Sequence, residues 1–400
     1  MKAARGLNHQ LQKGFATLLA AGLPPANPSG FPASSGGRSS LVECGAGQSK
    51  KDRLNNGRRL SSVYTTPMFF KHIKISQAPV MAAAIVGACR ENGWSLDVQP
   101  KLLGAIFSAL FDFDADFRTL PAATMEEVAA EFPNAPERRE MVDLMLICEL
   151  CLHDLPAELS DSIDRWAVYL GVEESDLTVA RELARGAQAR AQFDLYRNGF
   201  WGACADMDPA YTALIEADGA RALAMTITPD PEESARWAAL EHCPSGSLGR
   251  CVWEFYHQRG FDYPGTPGAV SKAESHHDWV HVLCDYGTTP MGEVEVGAFR
   301  MTTTDDPGAA LTFVAGQLAF YQGGIMPSAL TGLHPDHILE TPGGPERVAD
   351  ALRRGRECKF DTYHKFDFFT VASEPIEALR DRWNFVPKAV SDSPSWDLEI

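Results

Sequence analysis

Apolar residues recur at helical spacing from about Met68 to Arg197. Ile163, Trp166, Ala167 and Leu170 follow the i, i+3, i+4, i+7 rule that lines one face of a helix, and Gly171 supplies the stop. Ser175 can cap a following helix from Asp176 to about Arg190. A turn-rich stretch from Asn198 to Asp230 separates this region from a second pattern between Trp237 and about Lys388. The longest apolar run, Ala78 to Cys89, is well short of the ~20 residues that a membrane span requires.

The fold class predicted is all-α: a helical accessory domain followed by a helical domain that binds metal and holds a lipid cavity. The boundaries are residues 1–65 as a disordered or targeting leader, 66–197 as the accessory domain, 198–388 as the second domain and 389–400 as an acidic tail. Four hundred residues allow this division, because single cores seldom extend beyond roughly 250–300 residues.

Charge sharpens the picture at the N-terminus. Of the net −17, residues 1–60 carry nine Lys/Arg against Glu43 and Asp52, a balance of +7, leaving −24 on the other 340 residues. The acidic body should repel nucleic acid. The acid-poor, Ser/Gly/Pro/Arg-rich leader fits a transit peptide, a disordered bacterial leader or a translation start assigned too far upstream.

Two motifs in the first half read as structural. Cys148-x-x-Cys151 lies in the apolar run from Met141 to Leu152 with no second pair to complete a zinc site, so it predicts a buried helix with inert thiols. Asp112, Asp114 and Asp116 open like a calcium loop, but Phe117 and Ala123 occupy the positions that need Gly and Glu. The nine cysteines form no disulfide framework.

The chemistry is concentrated between Glu274 and Glu293. Helical projection places Glu274, His277, Asp278 and His281 on one side, and His276, Trp279, Val280 and Leu283 on the other. Imidazoles at i and i+4 stack one above the other with the reach of metal bonds, and Asp278 adds an oxygen from the adjoining edge. Thr289-Pro290 reads as an N-cap and first helical position, which puts Glu293 early on a second helix across a hairpin. Glu293-Val-Glu-Val296 also alternates like a strand. His276 reads as a packed histidine and not a ligand.

The pattern His277-Asp278-x-x-His281, eleven residues, then Glu293 resembles the signature of the family of coenzyme Q biosynthesis protein 4. Pro244 to Arg250, Trp253 and Phe255-Tyr256 upstream, and Gly355, Lys359, Pro375 and Leu379-Arg380 downstream, resemble its flanking segments, so the likeness covers about residues 237–388. Asp367-Phe368-Phe369 departs from the Asp-Trp-Glu often found there. Residues 68–197 lack a counterpart in typical members and faintly resemble the tellurite-resistance B-like helical bundle.

The resemblance implies zinc, or another divalent metal, on His277, Asp278, His281 and Glu293. It further implies a homodimer, peripheral membrane contact, a polyprenyl-lipid or quinone-precursor cavity, and C1-decarboxylation of a polyprenyl-hydroxybenzoate in ubiquinone biosynthesis. That is a zinc-dependent carboxy-lyase. The alternative is a non-catalytic prenyl-lipid-binding scaffold of a quinone-biosynthesis complex with a structural metal. The location implied is cytoplasmic and peripheral to the membrane in a bacterium, or the matrix side of the mitochondrial inner membrane.

The residues add two expectations of their own. The small, apolar segment Ala309 to Tyr321 suits either a lipid cavity or an ordinary buried helix. Arg353, Arg354, Arg356 and Lys359 form a basic cluster that could meet an anionic head group or close a solvated helix end. A metal hydrolase fits less well: a zincin needs Glu where Asp278 stands, and an HD hydrolase would need His242 and Asp361 as further ligands.

Overall fold

A run of residues apolar on nearly every side belongs in the middle of a bundle, and Met141 to Leu150, charged only at Asp143 and Glu149, is such a run. In the computed structural model it lies in α4 (Ala135–Leu150), where every residue from Glu140 to Leu150 is buried. Residues 70–399 are described, leaving aside 91–92, 154, 174, 187–194, 196–197, 201–212, 215–216, 219–221, 223, 323–336 and 365. The leader, 1–65, lies outside the described residues.

Around α4 stand α1 (Ala78–Cys89), α2 (Val98–Phe111), α3 (Met125–Glu131), α5 (Ala157–Leu170) and α6 (Ser175–Ala184). Their ends follow local chemistry. Thr124 Oγ1 accepts from the Glu127 amide at 3.3 Å while Glu127 Oε2 accepts from the Thr124 amide at 2.9 Å, a reciprocal cap on α3. Helix α5 stops at Gly171, whose φ of 68° is the left-handed turn that glycine adopts without strain. Helix α6 begins at Ser175 itself and ends at Ala184, short of the expected Arg190, where Gly186 at φ 71° turns the chain; 187–190 lie outside the described residues.

Cys148 and Cys151 are fully buried, and Cys151 Sγ donates to the Cys148 carbonyl at 3.2 Å. Burial pushes the Cys151 thiol well up, which keeps it protonated. Asp112, Asp114 and Asp116 are exposed while Phe117 is buried beneath them, the arrangement of a solvated turn.

The second half contains α7 (Pro231–Ala238), α8 (Leu248–Arg259), α9 (His276–Cys284), α10 (Pro290–Met301), α13 (Gly344–Glu357) and α14 (Ile376–Trp383). Between α10 and α13, α11 (Pro307–Leu311) runs through a π-helical segment, Thr312–Leu318, into α12 (Ala319–Tyr321). The fold is all-α: among the described residues the only extended pairing is at isolated bridges such as Met225 to Val270.

The sequence suggested two cores, but the two halves bury into one. Helix α13 packs on α10 at one side and on α2 at the other, and α6 packs on α11. The α10–α13 approach needs Gly355, because a Cβ there would come within 2.1 Å of the Phe299 carbonyl. Arg356 ties the seam by donating from Nη1 to the Leu110 carbonyl at 2.6 Å, near the C-terminal end of α2. Ala309, Val314, Leu318 and Phe320 are buried in this core.

The acidic tail also departs from expectation. Trp396 is buried, Ser393 Oγ donates to Glu295 Oε1 at 2.6 Å, and Glu399 Oε1 lies 3.3 Å from Arg347 Nη2. Residues 389–399 are therefore part of the packed body, drawn in by an aromatic anchor and by ion pairs that a composition-based reading sees only as charge.

Candidate metal centre

Helix α9 starts behind Ser275 and ends at Asp285, whose φ of 66° turns the chain toward α10. Thr289 accepts from the Gly292 amide at 3.3 Å, and Pro290 takes the first helical position. The strand alternative for 293–296 is thereby settled as helix, with Glu293 one turn in.

This hairpin brings three donors to one point. His277 Nε2 lies 2.8 Å from His281 Nε2 and 3.0 Å from Glu293 Oε2, and His281 Nε2 lies 3.4 Å from the same oxygen. A tetrahedral ion with bonds of 2.0–2.1 Å separates its ligands by about 3.3 Å, so these contacts of 2.8–3.4 Å would open by up to about half an ångström to admit one. His277, His281 and Glu293 form one of the groups of donors among the described residues that could hold an ion.

The electrostatics ask for a cation at that point. Burial opposes charge on His277, but Glu293 and Asp278 outweigh it and raise its pKa to about 10. Burial likewise opposes charge on Glu293, yet His281 and His277 hold its carboxyl well below the usual range. A proton occupies the place where a divalent ion would compete.

Asp278 sits differently from the other three. Its Oδ1 lies 3.2 Å from His277 Nδ1, on the ring edge opposite Nε2, and its Oδ2 accepts from the Tyr256 hydroxyl. In this geometry Asp278 faces the far edge of the His277 ring as an ion-pair partner and lies outside the three converging donors. His281 is fixed in a parallel way: its Nδ1 donates to the Tyr286 carbonyl at 3.3 Å, which leaves the Nε2 lone pair facing the centre.

Sequence reasoning quoted Tyr256 only as a flanking residue and passed over Arg259. Both lie on α8, beyond the reach of spacing rules on α9. Tyr256 is held protonated by burial and by Asp278, and so acts as a donor. Arg259 donates to Thr288 Oγ1 at 2.9 Å and to the Glu399 carbonyl at 2.8 Å. Burial lowers its pKa to about 10, while Asp278 and Glu293 favour its charge, so it offsets part of their negative potential.

His276 packs as expected, buried against Phe368 and accepting from the Phe366 amide at 3.3 Å. The HD-hydrolase set is not assembled: His242 is exposed and Asp361 Oδ2 lies 2.6 Å from His364 Nδ1.

The head-group cluster needs correction. Arg354 is buried, donating to the Val386 carbonyl at 2.8 Å and the Cys284 carbonyl at 2.9 Å. Arg353 pairs with Asp350 at 2.7 Å and Glu357 at 2.8 Å. Of the four basic residues of the cluster, only Lys359 is exposed. Long guanidinium groups on the last turns of α13 find carbonyls and carboxylates of neighbouring elements before they meet solvent. No family model, curated protein or solved structure matches the chain, so its chemistry is read from these residues.

Proposed function

We propose that this chain is a divalent-metal enzyme that removes the C1 carboxylate from a polyprenyl-hydroxybenzoate, with zinc as the resident ion. The observation that carries the reading is the convergence of three protein donors, His277, His281 and Glu293, which leaves a fourth tetrahedral position free for substrate. Side-chain exposures of 12% for His277 and 17% for Glu293, against none for His281, support access from that side. A divalent ion held there would supply Lewis acidity to a phenolate or carboxylate oxygen of the substrate.

The chain's own residues fix the geometry. Tyr256 anchors Asp278, Asp278 pairs with the far edge of the His277 ring, and the Tyr286 carbonyl holds His281. The aromatic acid and its prenyl tail come from the resemblance over residues 237–388. A protein that works on such a lipid would act at a membrane surface, as a homodimer or within a quinone-biosynthesis complex. No helix among the described residues is long and apolar enough to cross a bilayer, which agrees with surface contact.

The test follows CO2 release from a lipid-presented polyprenyl-hydroxybenzoate. Zinc-loaded wild type should turn the substrate over while Glu293→Gln falls to background. Equal release from both sinks the lyase reading, and retained lipid binding in that case favours the non-catalytic scaffold with a structural metal.

A further inference from the structure

We infer a second divalent-metal site, formed by His153, His337 and Glu340, that clamps the end of α4 to the segment leading into α13. His153 Nε2 and His337 Nε2 face each other at 2.9 Å, and donor atoms of all three side chains lie within 4.8 Å of one another. Two neutral imidazoles and a carboxylate are the donor set of zinc and of divalent iron, cobalt and nickel. Facing ring nitrogens can share one proton, or both can turn lone pairs to one cation.

The backbone builds the site from both sides. His337 precedes a single 3-10 turn, Ile338–Glu340, and the Glu340 amide donates to the His337 carbonyl at 2.9 Å. That turn brings a Glu340 carboxylate oxygen within 4.8 Å of the histidine donor atoms. His337 takes a left-handed conformation, φ 54°, that aims its ring back at His153.

Gln322, fully buried, ties the two strands of chain together. Its Nε2 donates to the Cys151 carbonyl at 2.7 Å, two residues before His153, and its Oε1 accepts from the Leu339 amide at 2.8 Å, two residues after His337. Among the described residues His153 Nδ1 has no hydrogen-bond partner, so no bond at that nitrogen fixes the tautomer that Nε2 presents to His337.

Access is open. Glu340 is exposed and lines a cavity of about 510 Å³ with Asp97, Lys101 and Glu346 between α2 and α13. The site joins positions 184 residues apart in the chain, one from each half of the molecule. An ion there binds only the folded arrangement and so raises its stability by mass action.

The experiment is a zinc titration of the full chain after removal of bound metal, read as equivalents taken up and as thermal midpoint. Wild type should take up two equivalents, and His281→Ala, His337→Asn and His153→Gln one each. His281→Ala/His337→Asn should take up none. Asn tolerates the left-handed backbone at 337, and Glu340→Gln, on an exposed side chain, should weaken the second class at least tenfold without touching the first. The thermal midpoint of His281→Ala should rise with zinc, and that of the double variant should not. The assignment is overturned if His281→Ala takes up no zinc, or by two equivalents in both His337→Asn and Glu340→Gln. Loss of the first site alone would appear as one equivalent that survives His281→Ala.

Discussion

The Tyr256 hydroxyl donates to Asp278, whose other oxygen lies 3.2 Å from His277 Nδ1, so one carboxylate links a phenol on α8 to a histidine ring on α9. The converging donors are three, and the carboxylate beside the first histidine serves them from behind.

Removing that support should weaken the centre without abolishing it. Tyr256→Phe and Asp278→Asn are expected to lower metal affinity by roughly 10–100-fold, the usual cost of losing a group that orients a ligand. His281→Ala should empty the centre. Competition with a chelating dye on a His337→Asn background reads this one class of ion. If Asp278→Asn loses as much as His281→Ala, Asp278 is itself a ligand.

Arg354 should matter for stability and not for membranes. Arg354→Met keeps the aliphatic stem and deletes the donors to Val386 and Cys284, leaving two carbonyls to find other partners. Each lost bond to a charged donor costs about 1.5–3 kcal/mol, so a loss of roughly 3 kcal/mol in urea unfolding is expected. Binding to anionic vesicles should stay as in wild type. A variant of unchanged stability with weakened vesicle binding would restore the head-group role.

Stability should fall as pH rises through the mildly acidic range. Burial raises the Glu149 carboxyl from 4.5 to about 7, outweighing its hydrogen bond to Ser160. A carboxyl raised on folding binds its proton more tightly in the native state, so its contribution is complete below about pH 4.5 and is lost as pH climbs through 7. Glu149→Gln should remove this slope and be more stable than wild type above pH 7 by about 2–3 kcal/mol. Glu140, raised by burial to about 7, adds a slope of the same sign. Unfolding free energies for wild type and Glu149→Gln at pH 4.5, 6 and 7.5 check this, and parallel curves would defeat it.

Local rules carried far in this chain. The i, i+3, i+4 face of α5, the left-handed stop at Gly171, the Thr289-Pro290 start of α10 and the stacking of His277 on His281 are set by residues within about one helical turn of each other. Such interactions leave a periodic trace in one dimension, which is why the all-α class and the His277–His281 pair were legible, whereas Glu293 came from the Thr289-Pro290 cap and the resemblance. The role of Asp278 turned instead on a phenol 22 residues away. The burial of Arg354 depended on carbonyls 32 and 70 residues distant, and the meeting of His153 with His337 on chain segments 184 residues apart. The docking of the tail through Trp396 and Ser393 likewise rests on partners on α8 and α10. A side chain's reach along one helix is fixed by helical geometry. Its choice among partners from other elements depends on how those elements pack, and the sequence carries no periodic record of that.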